Sequence, residues 1–313
     1  MSCLLKRISG AACLAWLVAT GAHAAPPSFA VIGDTPYSDF ERRELPHLLD
    51  LIADDLPAFI IHAGDIKKSS APCSDEILID RRDLFDAARV PFIYTPGDNE
   101  WTDCTGKDVG NRRSYAAERL HKLRELFFAR PESLGQTRIA LERQSPEYPE
   151  HQRWRLGPVL FLTLNVPGPD NNFGRRPHPS DEFVVRNPVV LDWLRQGFAL
   201  ARQEQRAGIV IVMQGNPGFK HFAAGFADGG YRQLLETLRR ETLVFPGQVL
   251  LVHGDTHWNR IDQPLFHPRS TQPVANFTRV ETFGYPFMGW VKVTIDTNDP
   301  ALFRFDVFPY AGR

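Results

Sequence analysis

Four Gly-Asp pairs, each placed directly after a short apolar run, constrain this 313-residue chain more than any other feature. They are Gly33-Asp34 after FAVI, Gly64-Asp65 after AFIIHA, Gly97-Asp98 after VPFIYTP, and Gly254-Asp255 after QVLLVH. A short run rich in Val, Ile and Phe is a candidate buried strand, and glycine lets a chain turn sharply as it leaves one. Four carboxylates then stand at the ends of four strands. In an open α/β sheet those ends form one rim, which is where ligands bind. Carboxylates gathered on a rim repel one another unless protons or a cation hold them together. A metal site is the simplest reading, although any single pair is explained by a strand that ends in a turn.

The segments between the pairs give the sheet its expected form. Ser28–Gly33 reads as a strand, and Asp39–Leu56 as a helix with Leu45, Leu48, Leu49, Ile52 and Leu56 at helical spacing. Ala58–His62 follows as a strand, Asp75–Ala88 as a helix capped by Ser74, and Pro91–Thr95 as a third strand. This β-α-β-α-β order predicts a parallel sheet with right-handed crossovers. Ser114–Phe128 is a further amphipathic helix, and Trp154–Leu156 and Val159–Asn165 read as strands. Asp170–Pro188 is rich in polar residues and Pro and reads as a long rim loop. Pro188–Arg206 reads as a helix, Ile209–Gln214 as a strand, Gly230–Arg240 as a helix and Gln248–His253 as a strand. Beyond Trp258 the short strands Val274–Glu281, Trp290–Ile295 and Leu302–Val307 suggest a second, more antiparallel sheet packed on the first.

The chain opens with the pattern of a secretory signal. Lys6 and Arg7 precede the apolar stretch Ile8–Gly21, and Ala22-His23-Ala24 is an A-x-A cleavage site. The organisation expected is a signal peptide over 1–24 and a single domain over 25–313, secreted or periplasmic. The apolar stretch is short against the roughly 20 residues of a membrane helix, so no stable membrane anchor is expected. Losing two basic residues leaves a small net negative charge, which offers nucleic acid no general attraction. Cys73 and Cys104 are the cysteines left after cleavage. In an exported protein they are expected to pair and join the loops behind the second and third Gly-Asp pairs; two free thiols are the alternative.

In order along the chain, Gly33-Asp34, Gly64-Asp65, Gly97-Asp98-Asn99-Glu100, Gln214-Gly215-Asn216-Pro217 and Gly254-Asp255-Thr256-His257 resemble the motifs of the calcineurin-like metallophosphoesterase superfamily. That family carries D-x-H, G-D, G-N-H-D/E, a His near a Pro, and G-H-x-H. The resemblance spans roughly residues 28–262 and implies an α/β fold of the two-sheet αββα sandwich type. It also implies two metals that activate a water for attack on a phosphoester. By position, Asp65 would bridge the metals, and Asp34 and His257 would hold the first. Asp98, Asp255 and either Gln214 or Asn216 would hold the second.

This chain departs from the pattern in a consistent direction. Pro36 stands where the first motif has a ligating His. Asn99 stands where the third has its catalytic His; an amide orients a phosphate oxygen but cannot act as a general acid. Asp98 replaces an Asn, Asp255 replaces a His, and the fourth motif has no His. Carboxylate and amide oxygens suit magnesium, manganese and calcium, whereas imidazole suits zinc and iron. A hard divalent cation, one ion or two, is therefore expected over zinc or iron. Four carboxylates would neutralise two such ions and weaken their pull on an anionic substrate.

Basic pairs offer some compensation. Lys67-Lys68, Arg175-Arg176 and above all Arg112-Arg113, beyond the third motif, are candidates to grip a phosphate, against the plainer reading of solvated surface pairs. His62 and His253 lie inside apolar runs and read as hydrogen-bonded structural residues. Trp101 either walls the pocket or packs in the core. The reading is an exported metal-dependent hydrolase acting on a small-molecule phosphoester. The alternative is a non-catalytic binding protein of the same fold that retains at most a structural cation.

Overall fold

The computed structural model describes residues 25–104, 112–175, 177–226 and 229–312. The proposed signal segment 1–24 lies outside the described residues. Strands β1 (Ser28–Ile32), β2 (Ile60–His62) and β3 (Phe92–Tyr94) alternate with helices α1 (Asp39–Asp54) and α2 (Asp75–Asp86). The three strands are parallel, as the alternation requires. Ser38 and Ser74 start the two helices by accepting the backbone N–H groups of Glu41 and Ile77, with acidic residues in each first turn. Helix α3 (Arg112–Phe127) then leads to β4 (Glu142–Ser145), β5 (Tyr148–Leu156) and β6 (Val159–Thr163).

Helix α4 (Asp181–Gln203) corrects the expected loop and helix boundary, because it begins seven residues before Pro188 and contains that proline. Ser180 caps Phe183 N–H, and Asp181 and Glu182 sit in the first turn. This start signal outweighs the proline, whose missing donor strands only the carbonyl of Val184, an exposed residue. Next come β7 (Gly208–Val212), α5 (Phe219–Ala223), α6 (Arg232–Val244) and β8 (Gln248–His253). Strands β9 (Arg260–Asp262), β10 (Phe277–Glu281), β11 (Met288–Ile295) and β12 (Phe303–Tyr310) complete the chain.

These last strands do not form a sheet of their own. One sheet runs β12-β11-β1-β2-β3 and the other β4-β5-β6-β7-β8-β10-β9. Strand β10 continues the second sheet in parallel beside β8, while β11 returns to pair antiparallel with β1. Nearly every residue of β11 is buried, which suits an inner position and not the edge of a separate sheet.

Three apolar cores hold four layers together. Phe29, Val31, Ile61, Phe161, Val210, Val252 and Val291 fill the space between the sheets. Leu45, Leu49, Phe85, Leu123 and Phe127 pack α1–α3 on the outside of the first sheet. Val190, Leu194, Phe198, Leu235 and Leu238 pack α4 and α6 on the outside of the second. This is the αββα sandwich.

Candidate metal centre

The motif residues leave the sheets at one end. In the first sheet Ile32 lies level with His62, and His62 with Tyr94; in the second, Val212 lies level with Val252. The two sets of strand ends are tied together by the site itself. Oδ1 of Asp34 accepts the backbone N–H of Asp255 at 2.9 Å, and Oδ2 accepts the Thr282 hydroxyl at 3.1 Å. His257 Nε2 stands 3.6 Å from the same Oδ1, while its Nδ1 lies 2.7 Å from the carbonyl oxygen of Tyr285. Nδ1–H donates to that carbonyl, which aims Nε2 at Asp34 in the manner of a ligand fixed from behind. Asp34, Asp65, Asp255 and His257 all have positive φ, from 50° to 83°, a conformation that costs non-glycine residues free energy and concentrates at functional sites.

Asp65 is held by a second group. Its Oδ1 accepts Asn99 N–H at 3.1 Å; its Oδ2 accepts the Tyr37 hydroxyl at 2.8 Å and the Asn99 side-chain amide at 2.9 Å. Glycine at 97 is required by closeness, since a Cβ there would lie 2.1 Å from Asp65 Oδ1. Buried Glu100 anchors the turn by accepting the N–H groups of Asp65 and Gly97 and the Tyr94 hydroxyl. Gln214 packs against Gly64 and Gly97; its Oε1 accepts Gly168 N–H at 2.6 Å, and its Nε2 is buried without a partner among the described residues. Asn216 holds Asp255 Oδ2 through its backbone N–H at 2.8 Å, and its side chain reaches Thr256 Oγ1 and Gly218 N–H.

The four aspartates bear on one another. Burial, followed by repulsion within the group, raises Asp34 and Asp65 well above the ordinary carboxylate range. Asp98 is pushed to about 8 by burial and then by Asp255 and Asp103, and its Oδ1 is buried without a hydrogen-bond partner among the described residues. Asp255 is pushed to about 6, chiefly by burial. An orphaned carboxylate oxygen, mutually repelling carboxylates and an aimed imidazole fit a hard divalent cation in the chemistry of their donors. Among the described residues, however, no three His, Cys, Asp or Glu side chains are placed to hold an ion as they stand. Both oxygens of Asp65 accept hydrogen bonds from protein donors.

Other candidates fall outside this centre. Burial holds His62 and His253 neutral, at about 4 and about 3, with hydrogen bonds to the carbonyl oxygens of Thr35 and Gly254. Trp101 is fully buried, with the Arg186 guanidinium over its ring, and packs in the core. Lys67 is buried and donates to the carbonyls of Lys68 and Ala71. The side chains of Arg112 and Arg113, and all of Arg176, lie outside the described residues. Cys73 and Cys104 form a disulfide with Cα atoms 5.8 Å apart. Tyr37, Thr282 and Tyr285 are the site neighbours that sequence reasoning missed. Tyr37, three residues after Asp34, carried a signal in its nearness to the motif; Thr282 and Tyr285 follow β10, where no motif marks them.

No protein-family model and no curated protein matches the chain. Solved structures do. A dimetal phosphatase from Danio rerio superposes with a TM-score of 0.52 at 12% identity, covering 92% of this chain and 100% of that one. PhoD gives 0.55 at 14% identity, over 92% of this chain and 69% of its own. The purple acid phosphatase PPD1 from yellow lupin seeds gives 0.51 at 12%, over 87% of this chain and 50% of that one. The likeness is one of fold, a two-sheet αββα sandwich shared with these phosphatase structures.

Proposed function

We propose that this protein is an exported, metal-dependent phosphoesterase acting on a small phosphoester. The observation that carries the reading is the convergence of Asp34, Asp255 and His257, from opposite sheets, beside Asp65 and Asp98. Asp34 and His257 would hold one hard divalent ion. Asp65, Asp98 and Asp255, with Gln214 or Asn216, would serve a second. When bound, such an ion supplies activation of water and polarisation of the phosphoryl oxygens. The Asn99 amide, beside Asp65, would orient a phosphoryl oxygen but gives no proton to a departing group. Substrates with good leaving groups, such as aryl phosphates, are therefore favoured. The Cys73–Cys104 disulfide supports an oxidising, extracytoplasmic location.

The engagement of Asp65 by Tyr37 and Asn99 favours a second reading, a non-catalytic binding protein with at most one structural cation. Purified protein assayed against aryl phosphomonoesters and diesters, with magnesium, manganese and calcium in turn, separates the two. Turnover that Asp65→Asn abolishes supports the enzyme. No turnover with any of the three metals leaves the binding protein.

A further inference from the structure

We infer that a cavity beside the centre is a binding site for an anionic ring, the part of the substrate that leaves; this rests on the phosphoesterase reading. The cavity, about 460 Å³, lies between α5 and the segment around β9. Asn216 belongs to both places: it lines the cavity, and its backbone N–H holds Asp255. Through Asn216, a molecule with its phosphoryl group over Asp255 would have this cavity on one side of it. Phe219, Pro264 and Phe266 give the lining an apolar character that suits a flat ring.

Charge supplies the second half of the argument. Arg279 is bound by Asp262 through two hydrogen bonds, and Arg260 by buried Glu281, so these two cations are already matched. Lys220 also lines the cavity, is exposed, and has no ion-pair or side-chain hydrogen-bond partner among the described residues. An unmatched cation next to an acidic centre would draw a negative group placed at the far end of the ring. The ligand class is thus an aryl phosphate whose ring carries a second anionic group.

Phenyl phosphate and 4-carboxyphenyl phosphate differ by that one group. Calorimetry with each, in manganese, should give tighter binding of the carboxylated ligand, about threefold for a single partly exposed ion pair. Lys220→Gln should abolish the preference and Lys220→Arg restore it. Equal binding by the wild type, no binding of either ligand, or a preference that survives Lys220→Gln would overturn the inference. Preferential binding without hydrolysis would sink the phosphoesterase reading and leave the cavity's ligand class standing. Hydrolysis without preference would do the reverse.

Discussion

The backbone N–H of Asp255 donates to Oδ1 of Asp34 at 2.9 Å, joining residues 221 positions apart and the ends of strands from different sheets. A fully buried carboxylate thereby serves the fold as well as any ion it binds. Asp34→Ala removes the acceptor for both Asp255 N–H and the Thr282 hydroxyl, and an unpaired buried donor costs about 1–3 kcal/mol. Asp34→Asn keeps an acceptor oxygen and removes one repelling charge. In chelator at pH 8, Asp34→Ala should therefore unfold at lower urea than wild type, and Asp34→Asn should match or exceed it. Both should lose metal-dependent turnover. Equal urea midpoints for the two variants would contradict the structural role.

The raised aspartates give the metal-free protein a particular response to pH. A carboxyl group whose folded pKa lies above its ordinary value binds more protons folded than unfolded, so it stabilises at low pH and that stability is lost as pH rises. Buried His62, His151 and His253 act oppositely, costing stability as pH falls from the ordinary histidine range toward about 4. Between roughly pH 7.5 and 9 the histidines are almost wholly neutral in both states, and Asp98, at about 8, titrates. The melting temperature in chelator should fall across that window. Manganese should flatten the fall by taking the place of protons, and Asp98→Asn should reduce it without metal. A melting temperature that rises from about pH 7.5 to 9 in chelator would show that burial and mutual repulsion do not raise these carboxyl groups.

Closeness at the second and third motifs makes its own demand. A Cβ on Gly97 would lie 2.1 Å from Asp65 Oδ1 and 2.5 Å from Asp65 N, nearer than atoms approach. Gly97→Ala must therefore displace Asp65 or the turn. Such overpacking costs about 1–3 kcal/mol. Turnover and manganese affinity should each drop at least tenfold, with the far-ultraviolet circular dichroism unchanged. Undiminished affinity would remove Asp65 from the metal centre.

The parts of this molecule written locally were readable in the sequence. Ser74 capping α2, the apolar run of β8 and the parallel alternation of β1 to β3 all follow from neighbouring residues. What failed was set by distant partners. Strands β11 and β10 join different sheets because the edges open to them are those of β1 and β8, which no nearby residue specifies. The site divides the same way. Each Gly-Asp pair announces a strand end, but the hydroxyl of Tyr37 on Asp65 and the carbonyl of Tyr285 behind His257 exist only after the chain has folded.

The disulfide joins the loop behind the second motif to the loop behind the third, closing 31 residues of chain. Constraining a loop of that size stabilises by about 3–4 kcal/mol in the chain-entropy account. The loop has other fastenings, because the Cys73 carbonyl accepts from Arg119 at 2.9 Å and from the Tyr115 hydroxyl at 3.3 Å, both on α3. Replacing both cysteines by alanine should therefore lower the unfolding free energy by about 2–4 kcal/mol, read by chemical denaturation. Manganese affinity at 25 °C should stay within about twofold, since native contacts still place Asn99 and Asp65 when the unfolded chain has been freed. A large loss of affinity with little loss of stability would mean that the bridge shapes the centre directly and that α3 does not hold the loop unaided.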